Sequence, residues 1–475
     1  MPGSGNKIVE MRNSETAAVS KGAVSLIAGM SSFLTPLAFA SVNIALPSIG
    51  KDLSLNAVVL NWVTAANLLA AAALLVPFGR IADIYGRKKV FLIGMTLSAV
   101  ASFLCSIANS GAWLILFQAF LGASNAMIFG TGVAILTSAY PGKERGRALG
   151  INVAAVYIGL SAGPFIGGLL IREFGWRSIF ILNSLLCLVI IAVTIWKLRG
   201  EWAEAKGEGF DFAGSAIYGI ALVAIMLAFS VLPELWGVWL MLFGVLALVG
   251  FVRWETRLKY PVMNIGLFRD NAVFAFSNLA ALIHYSATAA AGFLLSLYLQ
   301  YVKGLAPEQA GLILIAQPIM MAIFSPIAGI LSDRIEPRIV ASLGMALTTL
   351  GLITLIFLSD DTGMLQIIVS LLILGVGFGI FSSPNTNAVM GSVDRKAYGV
   401  ASGMLGTMRL TGQMLSMGLS LLLFSLFIGR VQITPEYYPM FLKSMKIMFI
   451  ISSILCFGGI FASIARGKTR TLNGN

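Results

Sequence analysis

The sequence predicts an all-α protein that crosses a membrane fourteen times, as two six-helix bundles with two extra helices. Three observations support this fold class. Hydrophobic residues make up 58% of the chain and charged residues only 11%, against about 25% charged in soluble domains. Apolar runs of about 20 residues, the length that crosses a bilayer, occur fourteen times. Basic residues concentrate in alternate loops between these runs, which is the pattern that orients membrane proteins.

The predicted spans follow one another through short connections. The first apolar run is too long for the core of a signal peptide and lacks a convincing cleavage site, so we interpret it as a span. The first eight spans cover residues 23–46, 57–78, 89–108, 112–139, 148–170, 177–196, 213–231 and 235–252. The last six cover residues 271–299, 309–331, 339–358, 364–384, 398–427 and 446–465.

The distribution of basic residues predicts the orientation. With a cytoplasmic N-terminus, 24 of the 32 lysines and arginines fall in cytoplasmic segments and 7 in outside loops. Arg409 is the only one deep inside a predicted span. A miscounted span would destroy this asymmetry. The even number of spans then places the C-terminus in the cytoplasm as well.

A repeat predicts how the spans are grouped. The turn Gly79-Arg-Ile-Ala-Asp83 recurs as Gly329-Ile-Leu-Ser-Asp333, each after the second span of a six-span set. Two such sets are expected for halves related by an axis along the membrane normal. The predicted organisation is a cytoplasmic tail at 1–22, a six-helix bundle at 23–198, a cytoplasmic linker at 199–212, two extra helices at 213–260, a second bundle at 261–466 and a cytoplasmic tail at 467–475.

Composition argues against several function classes. The net charge of +12 could suggest nucleic acid, but the basic residues are spread over short loops instead of one patch, so we expect no nucleic-acid partner. A single histidine and three cysteines far apart in separate spans do not assemble a metal or redox motif. No P-loop pattern appears. We therefore expect no enzyme activity, no cofactor and no ATP use by this chain.

The fifth span carries a cluster of glycines around a proline. Glycine bunched around proline gives a helix that can bend and pack closely against a neighbour. The residues are Gly150, Gly159, Gly163, Pro164, Gly167 and Gly168.

These motifs resemble those of the major facilitator superfamily. The basic turn at residues 79–89, which contains Arg80, Arg87, Lys88 and Lys89, resembles the loop between its second and third helices. The glycine spacing matches its antiporters' fifth-helix motif. Asn43-Ile-Ala-Leu-Pro47 and Gly175-Trp-Arg-Ser-Ile-Phe180 resemble its fourteen-helix drug:proton antiporter family. The resemblance implies the major facilitator fold in the cell membrane. It also implies alternating access and export of amphipathic, usually cationic, drugs, dyes or antibiotics in exchange for protons or metal cations.

The resemblance also implies roles for residues. The acid and arginine of the basic turn would bias the transport cycle, and the fifth-span glycines would form a hinge. The turn residues are Gly79, Asp83, Gly86 and Arg87, with a weaker counterpart in Asp333 and Arg334. A merely topological role of the turn's charges is the alternative.

Three departures from the family pattern concern its charged sites. The family usually has an acidic residue where this chain has Ala38, an arginine where it has Gln118 and an aromatic residue where it has Asn67. No aspartate or glutamate lies inside a predicted span. Because a buried carboxylate is the usual proton carrier, proton antiport would need another group, or a carboxylate at a span end.

Two ionisable residues inside spans are candidates for substrate or coupling contacts. His284, the only histidine, could carry a proton, since imidazole titrates near neutral pH; a structural hydrogen bond is the alternative. Arg409 must face a cavity, an anion or hydrogen-bond acceptors, and in a cavity it would favour neutral or anionic substrates. Further polar candidates, otherwise explained by interhelical hydrogen bonds, are Asn43, Asn67, Gln118, Asn125, Tyr157, Gln317 and Asn385.

The sequence therefore predicts a secondary transporter in the lipid bilayer that exports an amphipathic small molecule, with a proton or metal cation as coupling partner. Two alternatives stay open at this point. One is a uniporter or importer of a neutral or anionic metabolite. The other is a transport-inactive sensor or scaffold, against which the complete turn and glycine motifs argue.

Overall fold

The computed structural model describes residues 21–140, 142–198, 200–258, 260–394 and 398–467, and only the backbone of 142–147. The two predicted tails, 1–22 and 467–475, lie outside these residues except at their inner ends. All regular structure in the described part of the chain is helical.

The first eight helices follow the predicted spans. They are α1 (Lys21–Asp52), α2 (Ala57–Tyr85), α3 (Arg87–Ser106), α4 (Gly111–Ala139), α5 (Gly142–Phe174), α6 (Arg177–Lys197), α7 (Phe212–Val231) and α8 (Leu235–Glu255). Most are longer than the apolar runs that predicted them. The extension of α8 matters most, because it adds Arg253, Trp254 and the carboxyl group of Glu255 to the predicted span.

The remaining helices begin with a short one. They are α9 (Gly266–Asp270), α10 (Ala272–Leu297) continued by a π-turn (Tyr298–Val302), α11 (Pro307–Leu314), α12 (Ala316–Arg334), α13 (Pro337–Leu355), α14 (Met364–Gly391), α15 (Tyr398–Phe427), and α16 (Tyr438–Ala465) preceded by a 3₁₀ turn (Pro435–Tyr437). Helices α11 and α12 together form one span. The helix breaks at Ile315 because Pro318 has no N–H for the carbonyl of Leu314.

Fourteen helical segments in the described chain are long and apolar enough to cross a membrane. The predicted all-α, fourteen-span fold is thus confirmed. Local sequence explains many of the helix starts. Asn56, Ser110, Asp211 and Asn271 each accept a hydrogen bond from the backbone N–H three residues later, which is how an N-cap side chain satisfies a free donor.

The helices pack as two halves with the extra pair beside them. In the first half α1 packs on α5 and α2 on α4; in the second, α14 packs on α12 and α13, and α10 on α15 and α16. The halves meet along α2 and α15, and along α5 with α11 and α12. Helix α7 lies on both α2 and α15, whereas α8 packs mainly on α7 and exposes Trp239 and Phe243.

Hydrogen bonds and the ion pair of Arg172 with Glu308 join the halves at the end opposite the basic turns. Ser296 Oγ donates to the carbonyl of Asn43 (2.7 Å) and Gln300 Nε2 to that of Ile44 (3.0 Å). Asn61 Nδ2 donates to Ser420 Oγ (3.1 Å). In the predicted orientation this is the extracellular end, so the described conformation is closed toward the outside.

Candidate substrate cavity and gating contacts

Three amide side chains on α2 and α4 form a hydrogen-bonded chain. Asn125 Nδ2 donates to Asn67 Oδ1, and Asn67 Nδ2 donates to Gln118 Oε1, both over 3.2 Å. Gln118 and Asn125 are two helical turns apart and so share one face of α4. Gly122 lies between them, and a Cβ there would lie 2.1 Å from the carbonyl oxygen of Asn67. Glycine is therefore what lets the two helices bring these amides together.

The amides line a cavity inside the first half, between α1, α2, α3, α4 and α6. It has about 40 Å³ of space for the centres of water molecules, enough for about three waters. Its polar lining consists of amides and hydroxyls: Asn67, Gln118, Asn125, Asn183, Thr35, Thr64 and Ser98. None of the side chains that line it is charged.

All three departures from the family pattern meet in this cavity. Ala38, Asn67 and Gln118 each line it. Ala38 therefore has a methyl group where the resemblance implies an acid, and Gln118 has an amide where it implies an arginine. Gln118 is 2% exposed, and its Nε2 has no hydrogen-bond partner among the described residues. A free buried donor of this kind can bind a carbonyl group or a water.

Arg409 on α15 places a positive charge in the second half. Its Nη2 donates to Thr386 Oγ1 (2.7 Å) on α14, and its guanidinium lies 5.6 Å from the centre of the Tyr285 ring. Its Nε has no partner, and no carboxylate lies within ion-pairing distance among the described residues. Arg409 is half-buried and within electrostatic range of Tyr157 on α5. The free charge therefore lies near the boundary between the halves.

Tyr157 connects the two halves directly. Its hydroxyl donates to Ser325 Oγ on α12 over 3.2 Å. Tyr157 is 6% exposed. Together with Arg409, it places polar groups of both halves along the same boundary.

His284 is enclosed by aromatic rings and does not line the cavity of the first half. It is fully buried, stacked on Phe381 with ring centres 4.0 Å apart and packed edge-on against Phe378. Its Nε2 lies 3.3 Å from Thr348 Oγ1, whose own proton goes to the carbonyl of Gly344. Nε2 must therefore be the donor, and Nδ1 has no partner among the described residues. This environment suits a neutral structural imidazole better than a proton carrier.

The other polar candidates make packing or closure contacts. Asn43 accepts a bond at its backbone in the extracellular closure. The carbonyl of Gln317 lies where α12 crosses Gly375 of α14. Asn385 belongs to a cluster around a buried arginine at the cytoplasmic end of the second half.

That arginine, Arg466, was not among the predicted site residues. It follows α16, is 2% exposed, and donates to Asn385 Oδ1 (3.1 Å), Ser277 Oγ (3.2 Å) and Ser463 Oγ (2.7 Å). Burial, with a smaller effect of Arg338, lowers the pKa of Arg466 to about 10. It therefore stays a cation at neutral pH. In the sequence it resembles any basic residue that follows a span, so only burial reveals it.

The basic turn between α2 and α3 is held by the linker. Arg87 Nε donates to Asp83 Oδ1 (2.8 Å), and its two terminal nitrogens donate to both oxygens of Glu204 (2.8 and 3.0 Å). Arg80 pairs with Glu208. The backbones are also joined, since Ala205 N donates to the carbonyl of Asp83 (2.9 Å). The predicted contact of Asp83 with Arg87 is present, and the linker acids are partners that the motif alone did not indicate.

Glu201 of the linker caps helix α3. Its carboxylate accepts bonds from the backbone N–H groups of Lys88 (2.7 Å) and Lys89 (3.2 Å), where a helix N-terminus favours negative charge. Gly86 has φ +118°, and a Cβ there would lie 2.5 Å from Glu201 Cδ. The glycine is thus required by both conformation and space. Gly79 is different, because no described atom lies within 4 Å of a Cβ at that position.

The second copy of the turn lacks such a network. Asp333 and Arg334 are both exposed, and no ion pair joins them in the described chain. Their predicted weaker gating role therefore has no contact to support it in this conformation.

The fifth-helix glycines lie against two different neighbours, α1 and α11. A Cβ at Gly159, Gly163 or Gly167 would lie within 3 Å of α1 atoms. A Cβ at Gly168 would lie 2.7 Å from the carbonyl oxygen of Pro307, and one at Gly311 2.3 Å from that of Pro164. The motif thus brings α5 close to α1 and, at the extracellular end, to α11 of the other half. Gly150 makes no such contact with described atoms.

Comparisons with known proteins agree with this architecture. A sequence model described as "Major Facilitator Superfamily" matches residues 28–283 and 277–473. The riboflavin transporter RibZ of Clostridioides difficile (strain 630) is 31% identical over 380 residues, which cover 79% of this chain and 82% of RibZ. Multidrug resistance protein Stp of Mycobacterium tuberculosis (strain CDC 1551 / Oshkosh) is 31% identical over 390 residues, covering 81% of this chain and 72% of Stp.

A solved structure shares the fold at low sequence identity. It is a bacterial homologue of the human lysosomal transporter Spinster, in an inward-facing and unoccupied conformation. The TM-score is 0.69 at 14% identity, over 94% of this chain and 97% of that one. At this identity the likeness concerns the fold alone.

Proposed function

This chain belongs to the major facilitator superfamily and is a multi-pass transporter of the cell membrane, not an enzyme, and we propose that it exports amphipathic small molecules that are neutral or negatively charged. Export would proceed by alternating access, in which the two halves rock around a central binding region. The observation that carries the proposal is the chemistry of the cavity. Its polar lining offers amide and hydroxyl groups without a carboxylate, and Arg409 adds a positive charge without an ion-pair partner among the described residues, outside this cavity and close to Tyr157.

This chemistry disfavours a cationic cargo. A cation that leaves water for a low-dielectric site needs an anionic partner, because its desolvation costs on the order of several kcal/mol. A carbonyl or N–H group of a neutral molecule can instead pair with Gln118 and Asn125 when the cavity, which has room for about three waters in the described conformation, widens during the transport cycle. A negatively charged group would be stabilised by Arg409.

The relatives support this range of substrates and the outward direction. One relative's name specifies riboflavin, an uncharged aromatic molecule with carbonyl groups. Another's specifies multidrug resistance, which a transporter confers by moving drugs out of the cell. The unbroken fifth-helix motif, which resembles that of antiporters, also favours export.

The gating contacts support alternating access. The hydrogen bonds that close the extracellular end and the ion pairs between the turn and the linker would both be broken and remade during a transport cycle. The resemblance implies exchange for a cation, but the cavity lining holds no carboxylate. A coupling proton would therefore bind outside the cavity. A uniporter of a neutral or anionic metabolite is a second candidate, favoured by the same missing carboxylate.

Transport into liposomes tests the proposal. The purified protein would be reconstituted with an imposed pH gradient, and riboflavin, an anionic dye and a cationic dye would be followed by fluorescence. We expect movement of the first two at rates several-fold above the cationic dye, accelerated by the gradient. Selective movement of the cationic dye would contradict the proposed substrate class. Movement that ignores the gradient would favour the uniporter.

A further inference from the structure

Two carboxyl groups meet at the cytoplasmic end of the extra helix pair, far from the cavity. Asp211 caps α7: its Oδ1 accepts from Gly214 N (3.0 Å) and its Oδ2 from Trp254 Nε1 (3.1 Å). Glu255 ends α8 and is 2% exposed. Its Oε2 accepts from Met263 N (2.9 Å), whereas its Oε1 has no hydrogen-bond partner among the described residues.

The free oxygen of Glu255 faces Asp211. A Cβ built on Gly214 would lie 2.1 Å from Asp211 Oδ2 and 2.6 Å from Glu255 Oε1. The two oxygens are therefore less than about 5 Å apart, within the range over which two carboxylates oppose each other's ionisation. The missing side chain of Gly214 leaves the space in which the two groups approach.

Among the described residues, no basic side chain forms an ion pair with either carboxyl group. Arg253 and Arg257 are exposed and form no ion pair with either carboxyl among the described residues. Helix α7 carries no charged side chain. On the elements packed against α7, Arg80 of α2 pairs with Glu208 of the linker, and Arg409 of α15 donates to Thr386.

The printed contacts of the two carboxyl groups are hydrogen-bond donors, which favours a proton over a metal cation as the occupant. The backbone N–H groups of Gly214 and Met263 and the indole N–H of Trp254 each donate to one carboxyl oxygen. A metal ion would need further oxygen ligands, and no cluster of three acidic or metal-binding side chains occurs in the described chain.

We propose that Asp211 and Glu255 form a proton-binding site, in which one proton is shared between Glu255 Oε1 and Asp211 Oδ2. When two carboxyl groups approach this closely and one of them, Glu255, is buried, a single proton held between them is favoured over two negative charges. The shared proton also gives Glu255 Oε1 the partner it lacks. Protonation of this site would therefore involve three parts of the chain. These are the linker, which carries Asp211, helix α8, which carries Glu255, and the segment with Met263 that leads to the second half.

Infrared difference spectroscopy tests the site without any substrate. The whole protein in lipid vesicles would be compared as the pH is raised, and the carbonyl band of a protonated carboxylic acid followed. We expect a band that is present at neutral pH, is lost in alkali, and is absent in Glu255→Gln. In Asp211→Asn the band should disappear at a lower pH than in the wild type, because the negative partner that opposes ionisation is gone.

Two outcomes would overturn the proposal. One is a wild-type spectrum without the band, which would result if both groups were ionised, for instance beside Lys259, which lies outside the described residues. The other is a band that survives in Glu255→Gln. Asp270→Asn, which alters a side chain 77% exposed, is the control and should change nothing.

A second variant keeps the test decisive if Glu255→Gln does not fold. Asparagine caps helices about as well as aspartate, so Asp211→Asn should leave α7 intact. An unshifted band in that variant would also count against the shared proton. The result is independent of transport: a protein that moves none of the dyes can still show the band, and an exporter can lack it.

Discussion

At the scale of a single residue, the amide of Gln118 leaves this part of the cavity lining uncharged. It takes the position where the resemblance implies an arginine, and it accepts a hydrogen bond from Asn67 while its own Nε2 stays free. A glutamate there would keep the size of the side chain and the bond from Asn67, but it would bring a negative charge. Because charge interactions are strong away from water, this one substitution should change which molecules bind.

We therefore expect Gln118→Glu to move substrate preference toward cations. The ratio of cationic-dye to riboflavin transport should rise at least about tenfold, equivalent to about 1.4 kcal/mol, measured in the liposomes described above. Gln366→Glu adds the same charge at an exposed position of α14 and should leave the ratio unchanged. An unchanged ratio in Gln118→Glu would remove this cavity from substrate recognition.

Arg466 illustrates a residue whose role depends on burial. Asn385 and Ser277 accept its bonds and would be left with buried, unpaired oxygens without it. We expect Arg466→Gln to lower the free energy of unfolding by about 2–3 kcal/mol, measured by titration with SDS in mixed micelles. Arg430→Gln, at an exposed arginine, should cost little. Equal stability of the two variants would show that the buried cluster is not important for the fold.

At the scale of elements, the linker and the basic turn form one unit. Glu204 binds the buried guanidinium of Arg87 with both oxygens, and the next residue, Ala205, bonds to the backbone of Asp83. The linker joins the first half to α7. Its attachment to the turn therefore connects the extra helices to the segment that the resemblance identifies with gating.

Glu204→Gln should loosen this attachment. The carboxylate is largely exposed, so its ion pair is worth at most about 1 kcal/mol, and we expect up to about fivefold faster trypsin cleavage after Lys206. Glu173→Gln removes an exposed carboxylate near the other membrane face and serves as the control. Cleavage at the wild-type rate in Glu204→Gln would mean that backbone contacts alone hold the linker.

Helix α5 allows a matched test within one motif. Gly168→Ala would force a methyl group against Pro307 and Glu308 of the other half, whereas Gly150→Ala places it in open space. Overpacking costs about 1–3 kcal/mol, so Gly168→Ala should disfavour the outward-closed state and slow riboflavin transport at least about fivefold. Gly150→Ala should transport normally. Similar rates would exclude the glycine contact as part of the seal.

Sequence reasoning predicted the elements better than the contacts between them. Apolar runs of span length determine the spans locally, so the fourteen helices could be predicted, and N-caps such as Asn56 and Asp211 explain where individual helices begin. Ala38, Asn67 and Gln118 were recognisable as departures, but their meeting in one cavity depends on how α1, α2 and α4 pack. His284 met the chemical criteria for a proton carrier and is enclosed by aromatic rings. Glu255 lies three residues beyond its predicted span.

For the whole molecule, the extra helices lie against the interface between the two halves. Helix α7 packs on both α2 and α15, which belong to different halves and form part of their interface. Tyr218 and Trp62 fix these contacts, through Thr411 of α15 and Ser230 of α7. A change in protonation at Asp211 and Glu255 would act on α7 and α8, and thereby on the interface between the halves.

If the proton at this site is the coupling ion, transport driven by a pH gradient should need Glu255 and not His284. We expect Glu255→Gln to lose the acceleration of riboflavin transport by the gradient while keeping transport down a riboflavin gradient. His284→Phe, which preserves stacking on Phe381 without a titratable nitrogen, should keep both. The reverse pattern would assign coupling to the buried imidazole. Full acceleration in Glu255→Gln would leave the carboxyl pair a proton site without a role in driving transport, because energy coupling requires that the proton bind and leave during each cycle.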